Sequence, residues 1–122
     1  MSADGPVAVL LRRARERSLL ARAVRLSISL DSGLYVLLPR PIIMKGAVLA
    51  AGLDPEDAEH DALMANRRAV RTLMDDISPA TRYTVIDLPR PVFLSTSRVA
   101  RRQGCATVVR GRRLRRLLGR RG

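Results

Sequence analysis

The sequence predicts an α+β fold: a small antiparallel sheet of two hairpin-like strand pairs, two or three helices, and a basic C-terminal tail. Three observations predict it. The stretch "LSISLDSGLYVLL" alternates Leu26, Ile28 and Leu30 with serines, turns at Asp31-Ser32-Gly33 and resumes at Leu34, and apolar residues at a period of two around Asp-Ser-Gly are hairpin chemistry. "RYTVIDL" and "VFLST" are two further β-prone runs, divided by Pro89-Arg90-Pro91. The resulting order of helix, hairpin, helix pair, two strands and tail groups strands with strands, as α+β proteins do.

Taken in order, residues 6–24 are strong helix formers, with Leu10, Leu11, Ala14, Leu19, Leu20, Ala23 and Val24 apolar among arginines. The hairpin follows. A short apolar helix over 42–51 then stops at Gly52. Asp54 is placed to cap a second helix, with Pro55 at its first position and Glu56, Asp57 and Glu59 favouring its positive end. That helix runs to Ile77, where Ser78-Pro79 ends it, and turns Ala58, Leu63, Met64, Val70, Leu73 and Met74 toward the core. After the two strands the chain becomes "RVARRQGCATVVRGRRLRRLLGRRG", read as a solvated or partner-ordered tail. The organisation expected is a basic N-terminal helix over 1–25, an α+β core over 26–97 and an Arg-rich tail over 98–122.

Composition limits the function more than any motif does. The chain has 122 residues, 47% of them apolar, and only three aromatics, Tyr35, Tyr83 and Phe93. Base-stacking modules, which present several aromatics on a sheet, are disfavoured. The net charge is +12, and Lys45 is the single lysine among 23 basic residues. An arginine excess follows from a GC-rich or overlapping coding sequence as readily as from phosphate recognition, but codon usage does not require the net charge. Charge is also partitioned. Residues 54–76 hold seven acids, whereas residues 98–122 hold ten arginines and no acid.

That tail points to nucleic acid. Arg101, Arg102, Arg110, Arg112, Arg113, Arg115, Arg116, Arg120 and Arg121, supported by Arg12 and Arg13, give a density that neutralises phosphates and releases counterions. A surface built only for solubility interleaves acids, and this one has none. The function expected is non-enzymatic binding of RNA or DNA through the phosphate backbone, with little sequence preference, because arginines on phosphates position rather than read bases. The alternative is a viral or overlapping-frame accessory protein whose tail serves nuclear targeting or an acidic membrane surface; Leu114, Leu117 and Leu118 would line one face of a helical tail. Opposite charge blocks and open sheet edges also predict a homo-oligomer, a dimer in the simplest case. No apolar run approaches the roughly 20 residues of a membrane span, and the lone Cys105 forms no internal disulfide. An intracellular location, cytoplasm or nucleus or nucleoid, is expected.

Other constellations offer less. A helix-turn-helix around Gly52 would drive Glu56, Asp57, Glu59 and Asp61 against phosphates; those acids suit pairing with a basic end of this or another copy. His60 beside Asp61 is a surface turn rather than a metal site, and Cys105 lacks a neighbouring base in sequence, so no catalytic residue, metal or cofactor is assigned. One repeat remains: "LPRPII" at Leu38 and "LPRPVF" at Leu88, fifty positions apart. Proline cannot donate to a sheet ladder, so each copy should close a strand and aim the chain onward. Arg40 and Arg90 would hold equivalent positions; only exposure of both Pro-Arg-Pro units with polyproline geometry and free arginines would make the repeat itself a recognition site.

Overall fold

The computed structural model describes residues 5–13 and 16–111. Its elements are β1 (Val7–Leu10), α1 (Arg17–Ser29), β2 (Leu34–Pro39), α2 (Lys45–Ala50), α3 (Pro55–Ile77), β3 (Thr84–Leu88), α4 (Val92–Arg102) and β4 (Thr107–Val109). The four strands form one sheet in the order β3-β2-β1-β4, and every neighbouring pair is parallel. The expected antiparallel sheet of two hairpins is therefore replaced by an open α/β sheet, wound first to one side and then to the other.

Each misreading has a local cause. All four residues of β1 are buried, the unbroken apolar run of a central strand covered on both faces, not an alternating one. "LSISL" alternates over only five residues, and the longer helical spacing of Leu20, Ala23, Val24 and Ser27 prevails. The Ser27 hydroxyl donates to the Val24 carbonyl at 2.8 Å, so a buried serine is satisfied inside the helix. Ile28, which a strand would have buried, is 61% exposed. In "VFLST" the β-prone residues likewise yield to helical spacing: Val92, Ser95, Thr96 and Val99 fall on one face of α4. The Ser95 and Thr96 hydroxyls donate to the Pro89 and Val92 carbonyls at 2.6 and 2.8 Å. The sheet thus draws β1 from the segment expected to be helical, and α4 and β4 reach into the one expected to be tail.

Two apolar layers hold the sheet. On one face Val7, Val9, Leu11, Val36 and Leu38 meet Leu20 and Val24 of α1 and Val70 and Met74 of α3. On the other, Ala8, Leu10, Leu37 and Leu88 meet Val92 and Val99 of α4. Each of the larger side chains contributes about 1.5–3 kcal/mol on full burial. At the amino edge Gly5, with φ +69°, lies where a Cβ would come within 2.1 Å of the Gly104 carbonyl oxygen, so two backbones meet that only glycine permits.

Helix α3 has the expected bounds, from the Asp54 cap, whose carboxylate accepts the Glu56 amide at 3.0 Å, to Ile77, but Met64, expected to face the core, is 44% exposed. The helix runs opposite to the strands. Arg67 donates to Asp87, the penultimate residue of β3, at 2.7 Å, and Met64, Arg67, Arg68 and Arg71 line a groove with Tyr83, Thr84 and Val85 at the start of that strand. The two fully buried residues of α3, Val70 and Met74, lie in its second half, and α2 packs against α3.

Candidate nucleic-acid interface

Every strand of the sheet hands an arginine to the same edge. Beyond Leu11, β1 continues into Arg12 and Arg13; β2 runs directly into Arg40; β3 reaches Arg90 after Pro89; and β4 runs directly into Arg110. All five arginines are exposed. Because the strands are parallel, these positions share the carboxyl edge, in the order Arg90, Arg40, Arg12 with Arg13, Arg110. Three strand spacings make a row roughly 14 Å long. Open α/β sheets bind ligands outside the carboxyl ends of their strands, at the point where the winding reverses. Here that point is the crevice between β1 and β4, where the register pairs Val9 with Val109 and so sets Leu10 level with Arg110.

The turn after β1 shapes this crevice. The Arg13 amide donates to Glu16 Oε1 at 3.0 Å, and the Glu16 amide returns to the Arg13 carbonyl at 3.3 Å, tying the turn ahead of α1. Gly111 lies beside the same carboxylate, 3.9 Å from Glu16 Oε2 to the place a Cβ would occupy. Glu16, Ser18, Leu19, Arg22 and Gly111 line a groove of ≈ 370 Å³. The positive end of the α1 dipole opens onto it, while Arg17 is drawn away into an ion pair with Asp76. The chain has no glycine between Gly5 and Gly33, so the glycine-rich turn that lets backbone approach a dinucleotide pyrophosphate is absent. Guanidinium groups, not backbone amides, would meet an anion here.

At the other end of the row the repeated Leu-Pro-Arg-Pro units sit side by side. Pro39 pairs with Leu88, the Arg40 amide donates to the Leu88 carbonyl at 2.9 Å, and Arg90 Nη2 donates to the Arg40 carbonyl at 3.3 Å. Both copies close strands, as the sequence predicts, and both arginines are exposed, so the joints also furnish the rim. Arg40 is partly neutralised by Glu59 of α3, at 3.3 Å. Among the described residues Arg12, Arg13, Arg90 and Arg110 have no carboxylate within ion-pair distance. Arg12, Arg13 and Arg110, candidates from the sequence, thus share this edge with Arg40 and Arg90 of the repeat.

The arginines expected to act together are divided by the fold. Arg101 and Arg102 form the last turn of α4, which returns to the amino edge; there Tyr35, near the start of β2, donates to Gln103 at 3.1 Å. With Arg98, Ser97 and Leu94 they line a separate groove of ≈ 410 Å³. Arg110 is at the opposite edge. Arg112, Arg113, Arg115, Arg116, Arg120 and Arg121 lie outside the described residues. Cys105 belongs to the amino edge, and burial pushes its thiol pKa above the ordinary value. His60 is exposed on α3, and among the described residues no three His, Cys, Asp or Glu side chains gather as a metal ion would need. None of the helices among them is long and apolar enough to cross a membrane. Comparison with protein-family models, with curated proteins and with solved structures found no match.

Proposed function

We propose that this chain binds the phosphate backbone of nucleic acid without catalysing a reaction on it. One observation carries the reading: four parallel strands deliver arginines to a single edge, four of them without a carboxylate partner among the described residues. Same-sign charges aligned along one edge raise the local concentration of a polyanion and speed its encounter. The guanidinium fork suits phosphate oxygens, and exposed side chains that meet phosphates discriminate little between bases. Residues 112–121 add six arginines directly after Gly111, so rim and tail form one basic tract through Arg110. The proposed interface comprises the carboxyl edge and the residues that follow β4, and does not include Arg101 and Arg102, which are on the amino edge.

The test is affinity for a generic oligonucleotide against salt, with and without residues 112–122. Truncation has to begin there, since residues up to 109 complete α4 and β4. Binding at low salt that weakens steeply with salt, and that falls on truncation, supports the reading. Absence of binding at low salt overturns it, as does binding to anionic vesicles in preference to the oligonucleotide.

A further inference from the structure

The segment after β2 is exposed where its composition calls for burial. From Ile42 to Leu53 the only charged residue is Lys45, and Ile42, Met44, Leu49 and Leu53 are 67%, 69%, 62% and 59% exposed. Helix α2 has no buried residue at all. It packs against α3, and the two helices follow β2 as a hairpin that starts from the carboxyl edge of the sheet. Asp54, Glu56, Asp57 and Asp61, at the start of α3, are all exposed, and none is ion-paired among the described residues. A soluble chain leaves so many large apolar side chains uncovered in one short stretch only where something covers them.

The sequence contains a complement. Residues 112–122 hold six arginines, Leu114, Leu117 and Leu118, and no acid. They start from Gly111, at the same edge of the sheet as the hairpin. Seven residues from Gly111 to Leu118 span about 23–25 Å at full extension. The two strand spacings from β4 to β2, whose end leads into α2, amount to about 10 Å. The charge pattern is complementary, and the reach exceeds the distance to the end of β2.

We propose that residues 112–122 dock on the α2–α3 hairpin of their own chain. The three leucines cover Ile42, Met44, Leu49 and Leu53, and the arginines pair with Glu56, Asp57 and Asp61. Because the partners share one chain, a contact too weak to form between separate molecules is populated by effective concentration. The acids of α3 then occupy the guanidinium groups that a phosphate backbone would take, making the hairpin an internal competitor. This consequence rests on the nucleic-acid reading; the docking itself does not.

Amide hydrogen exchange of the full chain tests both. In 20 mM salt, residues 42–53 are expected to exchange slowly, and about tenfold faster in L114S/L117S/L118S. A similar acceleration is expected in E56Q/D57N/D61N, which spares the capping Asp54. Denaturant unfolding of the same variants shows whether the core is intact. Equal exchange of 42–53 in wild type and both variants overturns docking. Protection that depends on protein concentration, with a dimer in sedimentation, overturns it in favour of a second copy. Protection that arises only with phosphatidylserine vesicles overturns it in favour of a lipid surface. Addition of an oligonucleotide is expected to deprotect 42–53 in the wild type. If docking is present but the oligonucleotide neither binds nor deprotects, the nucleic-acid reading fails and the docking stands.

Discussion

Replacing Arg12, Arg13, Arg90 and Arg110 together by glutamine removes four charges from the carboxyl edge and leaves the rest of the chain as it is. Each neutralised phosphate contributes a salt slope of about −0.9 on duplex DNA and about −0.7 on a single strand. Four contacts therefore account for about −3.6 or −2.8 in log K against log salt. Between 50 and 200 mM salt the rim alone would weaken duplex binding by about 150-fold and single-strand binding by about 50-fold. The quadruple variant should lose that part of the slope and keep whatever residues 112–122 supply. Fold stability should change little, because all four side chains are exposed and substitutions at exposed positions usually stay within about 0.5 kcal/mol each.

The assay is fluorescence anisotropy with a labelled oligonucleotide at five or more salt concentrations, duplex and single strand in parallel. A slope that flattens by less than one unit would refute the rim, because without four engaged guanidinium groups the counterions of four phosphates are no longer released on binding. A companion variant with Arg98, Arg101 and Arg102 changed to glutamine serves as the contrast. Those residues are equally basic and equally exposed but on the amino edge. If that variant flattens the slope instead, the interface is on the wrong edge.

Among the described residues Glu16 is the one carboxylate lining the crevice, so Glu16→Gln, which keeps an oxygen for the Arg13 amide, should tighten oligonucleotide binding by a few-fold at low salt. Asp54→Ala removes the acceptor of the Glu56 amide and should cost about 0.5–2 kcal/mol in urea unfolding. Two ion pairs should differ: Arg67→Ala strands Asp87, 14% exposed with one carboxylate oxygen already unpartnered, and should cost about 1–3 kcal/mol. Arg17→Ala breaks a pair whose side chains are 56% and 61% exposed, and should cost about 0–1 kcal/mol. Because burial raises the Cys105 pKa, less thiolate is present at neutral pH, and alkylation by iodoacetamide should be slower in the folded protein than in the unfolded chain.

The legible parts of the fold were those whose signals are local. Asp54, Pro55 and the acids after them define the start of α3, and capping is a matter of a few adjacent residues. The joints at Leu38 and Leu88 were legible for the same reason: proline ends a ladder wherever it falls. Strand direction was not legible. A parallel sheet hides its alternation because both faces are buried, and "VAVL" then reads like any apolar run. The serines of α1 and α4 compounded the error, since a hydroxyl bonded to a carbonyl of its own helix or of the turn before it leaves no trace in the sequence of where it points.

The error in the sheet also hid the convergence of Arg40 and Arg90. In an antiparallel sheet the residues after successive strands go to alternate ends, so Arg40 and Arg90 following adjacent strands would point apart, and a repeated joint would be only a joint. With all strands parallel, every strand end faces the same way, and arginines far apart in sequence converge on one edge. Parallel winding equally separates Arg101 and Arg102 from Arg110, because α4 must carry the chain back to the amino edge before β4 can begin. The charge density of a linear stretch is therefore a poor guide to the charge density of a surface here. Strand polarity decides which arginines share an edge, and it brings Arg12, Arg13, Arg90 and Arg110 to one, with Arg40 there paired to Glu59.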